Sequence, residues 1–415
     1  MHQKKFTIAT LGCRTNQYES QAYTDQLEAA GFVQAKKGEE AGVCIVNTCT
    51  VTQSADGRSF AAIRKLMRNH PNAKIVVTGC MAEREKQKIE SIDPKIQVVG
   101  NNEKEHLLEL ALPEVENFPE FSIKNFEAHT RAFVKIQDGC NSYCSYCIIP
   151  YVRGRSRCKD RKVILQEVKD LIANGYKEIV LTGINIGDFE GLASLVREID
   201  QMEGLRRLRL SSIDPDEVDE ELLRAIIDGK RTCKSMHIVL QAGSNVVLKR
   251  MRRKYTREEF FDTVHRLRAA HPDFTFTTDV IVGFPGETEE DHAETLDVIS
   301  QVRFAKVHMF PYSDRPKTRS ARMPNKVPKA MKEKRRQEVM RKAEKVAFDM
   351  RKEYVGRVMD VLLEGEDPLR EGYIRGHTDN FLLVSLPKEG VRSNEIVSVK
   401  LEKNEPDCLV GTHAN

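Results

Sequence analysis

Three cysteines stand within one eight-residue stretch, Cys140-Asn-Ser-Tyr-Cys144-Ser-Tyr-Cys147. Thiolates are soft ligands for zinc and iron, and three on one short loop can surround a single metal centre. No fourth cysteine or histidine follows at zinc-site spacing. An electron-transfer four-iron cluster takes four cysteines. Three leave one iron open, which is useful only if something else must bind there. A zinc loop completed by a distant residue is the alternative that this spacing leaves standing.

A second trio, Cys13, Cys49 and Cys80, is dispersed, and spacing alone says nothing about it. The elements that must carry it say more. Residues 6–10, 43–48 and 74–78 read as short apolar strands, alternating with helices at 17–30 and 58–69 that stop at Gly31 and before Pro71. Such alternation indicates a parallel sheet covered on both faces. Each cysteine lies one to three residues past a strand end. In a parallel sheet those ends share one edge. Taken singly, each is an ordinary buried cysteine; taken together, they read as a ligand set.

Residues 112–127, acidic and containing Pro113 and Pro119, read as a linker. Strand patterns recur at 133–137, 178–182, 207–210, 237–240, 275–282 and 305–310, with helices between them. Two of those helices carry capping-box signatures, Thr256 with Glu259 and Thr288 with Asp291. Six strand–helix units are too few for an eightfold barrel, so an open, partial (β/α)6 barrel is expected. From about Tyr354 the helical signals stop. Runs at 357–363, 372–377, 381–385 and 395–401 indicate a small all-β barrel. The fold class is therefore α/β with an all-β end, in domains spanning 1–115, 126–345 and 346–412.

The composition, 40% hydrophobic and 31% charged, is that of a water-soluble protein. No segment has membrane-spanning length, and the N-terminal apolar segment is short for a signal peptide. A cytoplasmic location is expected, where ten cysteines serve as ligands or redox groups rather than as disulfides. Net charge is only +4. Residues 313–345, however, hold 13 Lys/Arg against 4 Asp/Glu, a local excess of +9. Either a solvated helix face or a phosphate-contacting surface accounts for it. The same choice applies to KRMRRK at 249–254, which reads as a basic helix.

The Cys140 loop, with Tyr146 before its last cysteine, resembles the signature of the radical S-adenosylmethionine superfamily. The longer string CNSYCSYCIIPYVRGRSR at 140–157 is similar to the methylthiotransferase branch of it. TLGCRTNQYES (10–20), NTCTVT (47–52) and TGCMAE (78–83) resemble the three cysteine motifs of that branch's N-terminal domain. The end of the chain, with GHTDNF at 376–381, resembles the TRAM domain, a small RNA-binding β-barrel.

The resemblance implies two 4Fe–4S clusters, each with an open iron. Cys140, Cys144 and Cys147 would hold the one that binds S-adenosylmethionine and yields a deoxyadenosyl radical. Cys13, Cys49 and Cys80 would hold the one that delivers sulfur, with the two clusters facing each other across a domain boundary. Thr182, Gly183 and Asn185 are expected at the cofactor, the first of them ending a strand. Ser211, Gln241 and Gly283 also sit at or just past strand carboxyl ends, with Ser212 beside the first. Ala242 stands where the family usually has serine, and GFPGE at 283–287 matches its pattern. TLGCRTNQYES and LTGINIGD (181–188) look most like the branch that modifies threonylcarbamoyladenosine in the tRNA anticodon loop. The same chemistry on isopentenyladenosine or on a ribosomal-protein aspartate is the alternative, as is a non-catalytic metal-containing RNA-binding protein. An electron donor such as flavodoxin or ferredoxin is expected as a partner. Cys44, Cys158, Cys233 and Cys408 read as structural, and His308 as a packed residue.

Overall fold

The computed structural model describes residues 4–126 and 130–414. Residues 1–3 and 128–129, counted in the expected domains, and Glu127, the end of the expected linker, lie outside the described residues. The chain forms two compact units. The first comprises 1–127, 133–167 and 313–321, and the second 128–132, 168–312 and 322–415.

The first unit is built on a five-stranded, wholly parallel sheet. Its order is Val33–Gln34, Lys5–Thr10, Val43–Thr48, Lys74–Gly79 and Ile96–Val98. The middle strand is buried at every position, as a strand covered on both faces must be. Its side chains alternate between two cores. Val43 and Ile45 pack with Phe6, Tyr23 and Leu27 on one face. Cys44 and Val46 pack with Ile63, Val77 and Met81 on the other. Helices Arg14–Ala29 and Gln53–Asn69 follow the first and third strands, the latter capped by Thr52, whose hydroxyl accepts from Ala55 N at 3.1 Å. The two edge strands are two and three residues long, too short to show a period in the sequence.

The second unit carries parallel strands Glu178–Thr182 with Arg207–Leu210, and Ser235–His237 with Thr275–Val282 and Lys306–Pro311. The sixth strand of the partial barrel is Arg131–Lys135, whose first two residues count with this unit. Both expected capping boxes form, and a third joins Asp214 and Glu217. Helix Lys329–Arg351 leads to a closed five-stranded barrel of Val358–Glu366, Tyr373–Thr378, Leu383–Pro387, Leu409–His413 and Ile396–Asn404. Its core includes Val361, Leu363, Val384, Val399 and Leu409.

Three expected elements differ. The strand read at 237–240 is Ser235–His237. Beyond it the ladder is interrupted: Ile238 N and Gln241 N still donate to Thr277 O and Asp279 O, but Leu240 N donates to Thr278 Oγ1 at 3.0 Å and Val239 O accepts from Tyr255 Oη at 2.6 Å. The strand read at 133–137 breaks at Ile136, because Gln137–Asp138 turns to pair antiparallel with Arg157–Cys158. The basic run 249–254 is not one helix. Helix Asn245–Met251 ends in a left-handed Arg252, Arg250 donates to Gly286 O, and Arg253 is ion-paired with Asp214. Among the described residues no helix is long and apolar enough to cross a membrane.

Candidate functional site

Both cysteine sets belong to the first unit. The dispersed trio meets where the sheet ends. Thr10 is level with Asn47 and Thr48 with Gly79, so three adjacent parallel strands finish together. Cys13 caps helix Arg14–Ala29, Cys49 follows Thr48, and Cys80 opens helix Cys80–Arg84. Two glycines allow the close approach. A Cβ on Gly12 would stand 2.8 Å from Cys49 Cβ, and one on Gly79 would stand 2.5 Å from Thr48 O. Both have φ near +90 to +100°, which favours glycine. Asn16 ties the edge together, donating from Nδ2 to Leu11 O at 2.6 Å and to Thr48 O at 3.0 Å. Ser59 Oγ holds the Cys49 backbone, accepting from its N–H at 3.2 Å and donating to its carbonyl at 3.0 Å.

Beneath the edge lies a buried ionic group that sequence reading missed. Arg153 is 0% exposed. Its Nε donates to Cys80 Sγ at 3.2 Å, and its Nη1 donates to Glu19 Oε1 and Asp138 Oδ1, each at 2.9 Å. Its Nη2 reaches Asn16 Oδ1. Lys104 Nζ donates to Glu19 at 2.6 Å and also contacts Asp138, and Lys135 lies 3.5 Å from both carboxylates. Burial opposes ionisation of Glu19 and Asp138, yet Arg153, Lys104 and Lys135 hold both carboxyls well below their usual range. Burial and Arg153 lower the Lys104 ammonium, with Glu19 and Asp138 opposing them. The only signal of this network in the sequence was the presence of charged residues inside the cysteine motifs.

With Arg157 Nη2 also 3.2 Å from Asp138, Arg153, Lys104, Lys135 and Arg157 set four cations against two carboxylates. A buried positive excess needs a counter-charge, and the neighbouring Cys80 and Cys13 can supply one as thiolates. Burial raises the Cys49 thiol and pushes that of Cys80 up to about 11, with Arg153 pulling both back down. Three cysteines at one sheet edge, one of them accepting from the Arg153 guanidinium, fit a thiolate-bound group that carries negative charge. Among the described residues no three His, Cys, Asp or Glu side chains stand close enough to share one metal ion. A four-iron cluster binds each thiolate at a different iron, so its ligands need not converge so tightly.

The contiguous trio lies on a loop whose backbone closes tightly at a glycine. Gly139 has φ +72°, and a Cβ there would stand 2.1 Å from Arg155 O. Cys140 N donates to Gly154 O at 3.2 Å and Cys147 N to Cys144 O at 3.0 Å. Ser142 N donates to Cys140 Sγ at 3.4 Å. Cys144 is buried, while Cys140 and Cys147 are half-buried. Of the other cysteines, Cys44, Cys233 and Cys408 are buried, with thiols pushed up to about 12 by burial, and Cys158 is exposed.

The residues expected at S-adenosylmethionine lie in the second unit. Thr182 ends its strand and is followed by Gly183; Asn185 Nδ2 donates to Glu217 Oε1 at 2.6 Å. Ser211 Oγ and Gln241 Oε1 are buried with no hydrogen-bond partner. Gln241 has φ +62° and is anchored by its N–H to Asp279 O at 2.8 Å. Orphaned buried polar atoms are costly unless a ligand or water meets them, so these two fit a polar cofactor. Gly283 N donates to Glu287 Oε2 at 2.9 Å; Glu287 in turn pairs with Arg335 at 2.7 Å, so that carboxylate serves the loop itself. Glu217, held up to about 7 by burial, was not foreseen. The GHTDNF side chains are engaged within their unit. His377 stacks on Phe381 at 4.5 Å, and the Arg131 and Arg209 guanidinium groups lie over Phe381 at 5.4 and 5.0 Å.

Residues 5–100 match the uncharacterized protein family UPF0004, and residues 134–299 match the radical SAM superfamily. The chain is 45% identical to the threonylcarbamoyladenosine tRNA methylthiotransferase MtaB of Chlamydia pneumoniae, over 98% of this chain and 97% of that protein. It is 36% identical to the Bacillus subtilis protein of the same name, over 95% and 93%. It is 34% identical to tRNA-2-methylthio-N(6)-dimethylallyladenosine synthase of Carboxydothermus hydrogenoformans, over 99% of each. Among solved structures, the radical S-adenosylmethionine methyltransferase TsrM from Kitasatospora setae superposes with a TM-score of 0.57 at 16% identity, covering 77% of each chain. The radical enzyme OxsB superposes at 0.52 and 12% identity, over 83% of this chain and 56% of its own. At those identities the likeness is one of fold.

Proposed function

The chain belongs to the radical S-adenosylmethionine tRNA methylthiotransferases, and from that premise we propose that it adds a methylthio group to C2 of N6-threonylcarbamoyladenosine in tRNA, 3′ of the anticodon. The observation that carries this choice of substrate is the full-length 45% identity to a relative of that name, against 34% to a dimethylallyladenosine synthase.

In this reading Cys140, Cys144 and Cys147 hold the cluster that binds S-adenosylmethionine, and Cys13, Cys49 and Cys80 hold a second one. When bound, these groups supply a deoxyadenosyl radical and the sulfur to be inserted, chemistry that side chains do not provide. The chain's own part is to position and to balance charge. Gly139 lets its loop fold back on Arg155, and Gly12 and Gly79 bring three strand ends together. Arg153 holds Cys80 by its Nε, favouring the thiolate, and is itself held by Glu19 and Asp138. Ser211, Gln241 and the Thr182–Asn185 turn offer polar groups to the methionine and ribose parts of the cofactor. The functional modules span 1–115, 126–345 and 346–412, the last serving RNA. A cytoplasmic setting and a flavodoxin- or ferredoxin-like electron donor complete the proposal.

Mass spectrometry of tRNA nucleosides from a deletion strain tests it. Loss of the methylthio-threonylcarbamoyl nucleoside alone supports the proposal; an unchanged profile sinks it. Anaerobic reconstitution should load about eight irons per chain, from two four-iron clusters. One tightly held zinc without cofactor cleavage would favour the non-catalytic RNA-binding reading.

A further inference from the structure

The ionic group beneath the sheet edge holds more positive charge than its own carboxylates balance. The Arg153, Lys104 and Lys135 side chains are at most 7% exposed, and with Arg157 they pair with Glu19 and Asp138. Stability alone does not call for such a surplus. A buried charge is costly to desolvate, and only a well-placed opposite charge offsets the cost.

The surplus is directed at the cysteines. Arg153 Nε donates to Cys80 Sγ at 3.2 Å, with Cys80 itself buried. Arg153 Nη2 reaches Asn16 Oδ1. Asn16 Nδ2 donates in turn to Leu11 O at 2.6 Å and to Thr48 O at 3.0 Å, just before Cys13 and Cys49. One guanidinium thus meets one member of the trio directly and braces the other two through a single amide. Its fork is fixed from behind. Nη1 donates to Glu19 and Asp138 at 2.9 Å each, and Lys104 Nζ bonds to both of those carboxylates.

A four-iron cluster on three thiolates is an anion, and an added electron makes it more so. Nearby positive charge favours the reduced form, most strongly where the dielectric is low. A hydrogen bond to a ligating sulfur works in the same direction. Sulfur insertion gives that bias a use, because a carbon radical meets a sulfur lone pair. The carbon–sulfur bond that forms holds two of the three electrons, the sulfur–iron bond breaks, and the third electron must be accepted beside Cys80. We propose that Arg153, backed by Lys104, is the positioning residue that raises the reduction potential of the cluster at Cys13, Cys49 and Cys80, so that this site takes up that electron. This rests on the second-cluster reading above and deepens it by naming what tunes the cluster.

The test is a redox titration of the reconstituted full-length chain, followed by electron paramagnetic resonance. Cys140→Ala, Cys144→Ala and Cys147→Ala are combined in the parent, so that only the second cluster signals. In that background Arg153→Met should lower the midpoint potential. At a fixed potential the ratio of reduced to oxidised cluster should fall about tenfold, which is about 59 mV for one electron. Lys104→Met, which removes charge without removing a bond to sulfur, should lower the potential by less. Arg153→Lys, which keeps the charge and loses the fork, should lie between Arg153→Met and the parent. Iron content and circular dichroism report loading and folding of each variant. A potential unchanged or raised in loaded Arg153→Met overturns the proposal. Where that variant holds no cluster, an unmoved potential in both Lys104→Met and Arg153→Lys overturns it instead. A parent that binds no iron overturns the second-cluster reading itself, a result distinct from a cluster whose potential ignores Arg153.

Discussion

The cysteine edge of the first unit and the strand ends of the second solve opposite problems. Around Cys80 the charged groups hold one another, Arg153 and Lys104 each meeting Glu19 and Asp138, although Thr15 Oγ1, Asn47 Oδ1 and Thr78 Oγ1 in the same unit have no hydrogen-bond partner. Around Ser211, Gln241 and His237 buried polar atoms have no partner. A permanently held group is served by an ion-paired surround that fixes its ligands. A cofactor or substrate that enters and leaves each turnover must supply bonds the protein leaves open. The second arrangement costs the protein stability until the ligand binds.

Removing the ligands themselves breaks this contrast most severely. Cys140→Ala, Cys144→Ala or Cys147→Ala should abolish reductive formation of 5′-deoxyadenosine. Cys13→Ala, Cys49→Ala or Cys80→Ala should spare it and abolish thiolation of RNA, with iron falling from about eight to about four per chain. Survival of both activities in all three of the latter would disprove the second cluster. Next in size is Arg153→Met, which removes the buried hydrogen bonds to Cys80, Asn16, Glu19 and Asp138 and leaves the two carboxylates to Lys104 and Lys135. Denaturant unfolding should show a loss of about 3–5 kcal/mol, and Arg153→Lys a smaller one, since a point charge cannot reproduce the forked contacts.

Glu217 should give a subtler, pH-dependent effect. Burial raises its carboxyl from 4.5 to about 7, so folding favours the neutral form. Its contribution is complete below pH 4.5 and is lost as pH rises through 7. Glu217→Gln should flatten that window and be more stable than wild type at pH 8 by about 1–2 kcal/mol. A profile identical to wild type would show that the carboxyl is not perturbed. The smallest effect is expected at Ser211→Ala. Deleting an unmet hydroxyl should leave the ligand-free protein unchanged or up to about 1 kcal/mol more stable, while calorimetry shows weaker S-adenosylmethionine binding. A clear loss of stability would mean the hydroxyl is already satisfied.

Local pattern carried much of the fold. Strands Val43–Thr48, Glu178–Thr182, Arg207–Leu210 and Thr275–Val282 fall where their apolar runs place them, and both capping boxes form where Thr and an acidic residue stand three apart. The failures share a cause. Leu409–His413, Val33–Gln34 and Ile96–Val98 are too short or mixed to show a period. The end of the strand at His237 is set by Tyr255 and Thr278, which are remote in sequence. The GHTDNF motif marked the terminal barrel, but not that its ring would be covered by arginines from its own unit.

The sequence by itself determined the Cys140–Cys147 loop, the alternation that makes a parallel sheet, and the order of the parts, because each is written in neighbouring residues. Only the tertiary structure decided that Cys13, Cys49 and Cys80 lie at the ends of adjacent strands, that Arg153 sits under one of them, and that His237 meets His308. Those relations join residues tens of positions apart through strand register and burial. Spacing along the chain does not encode them; the pairing of strands does.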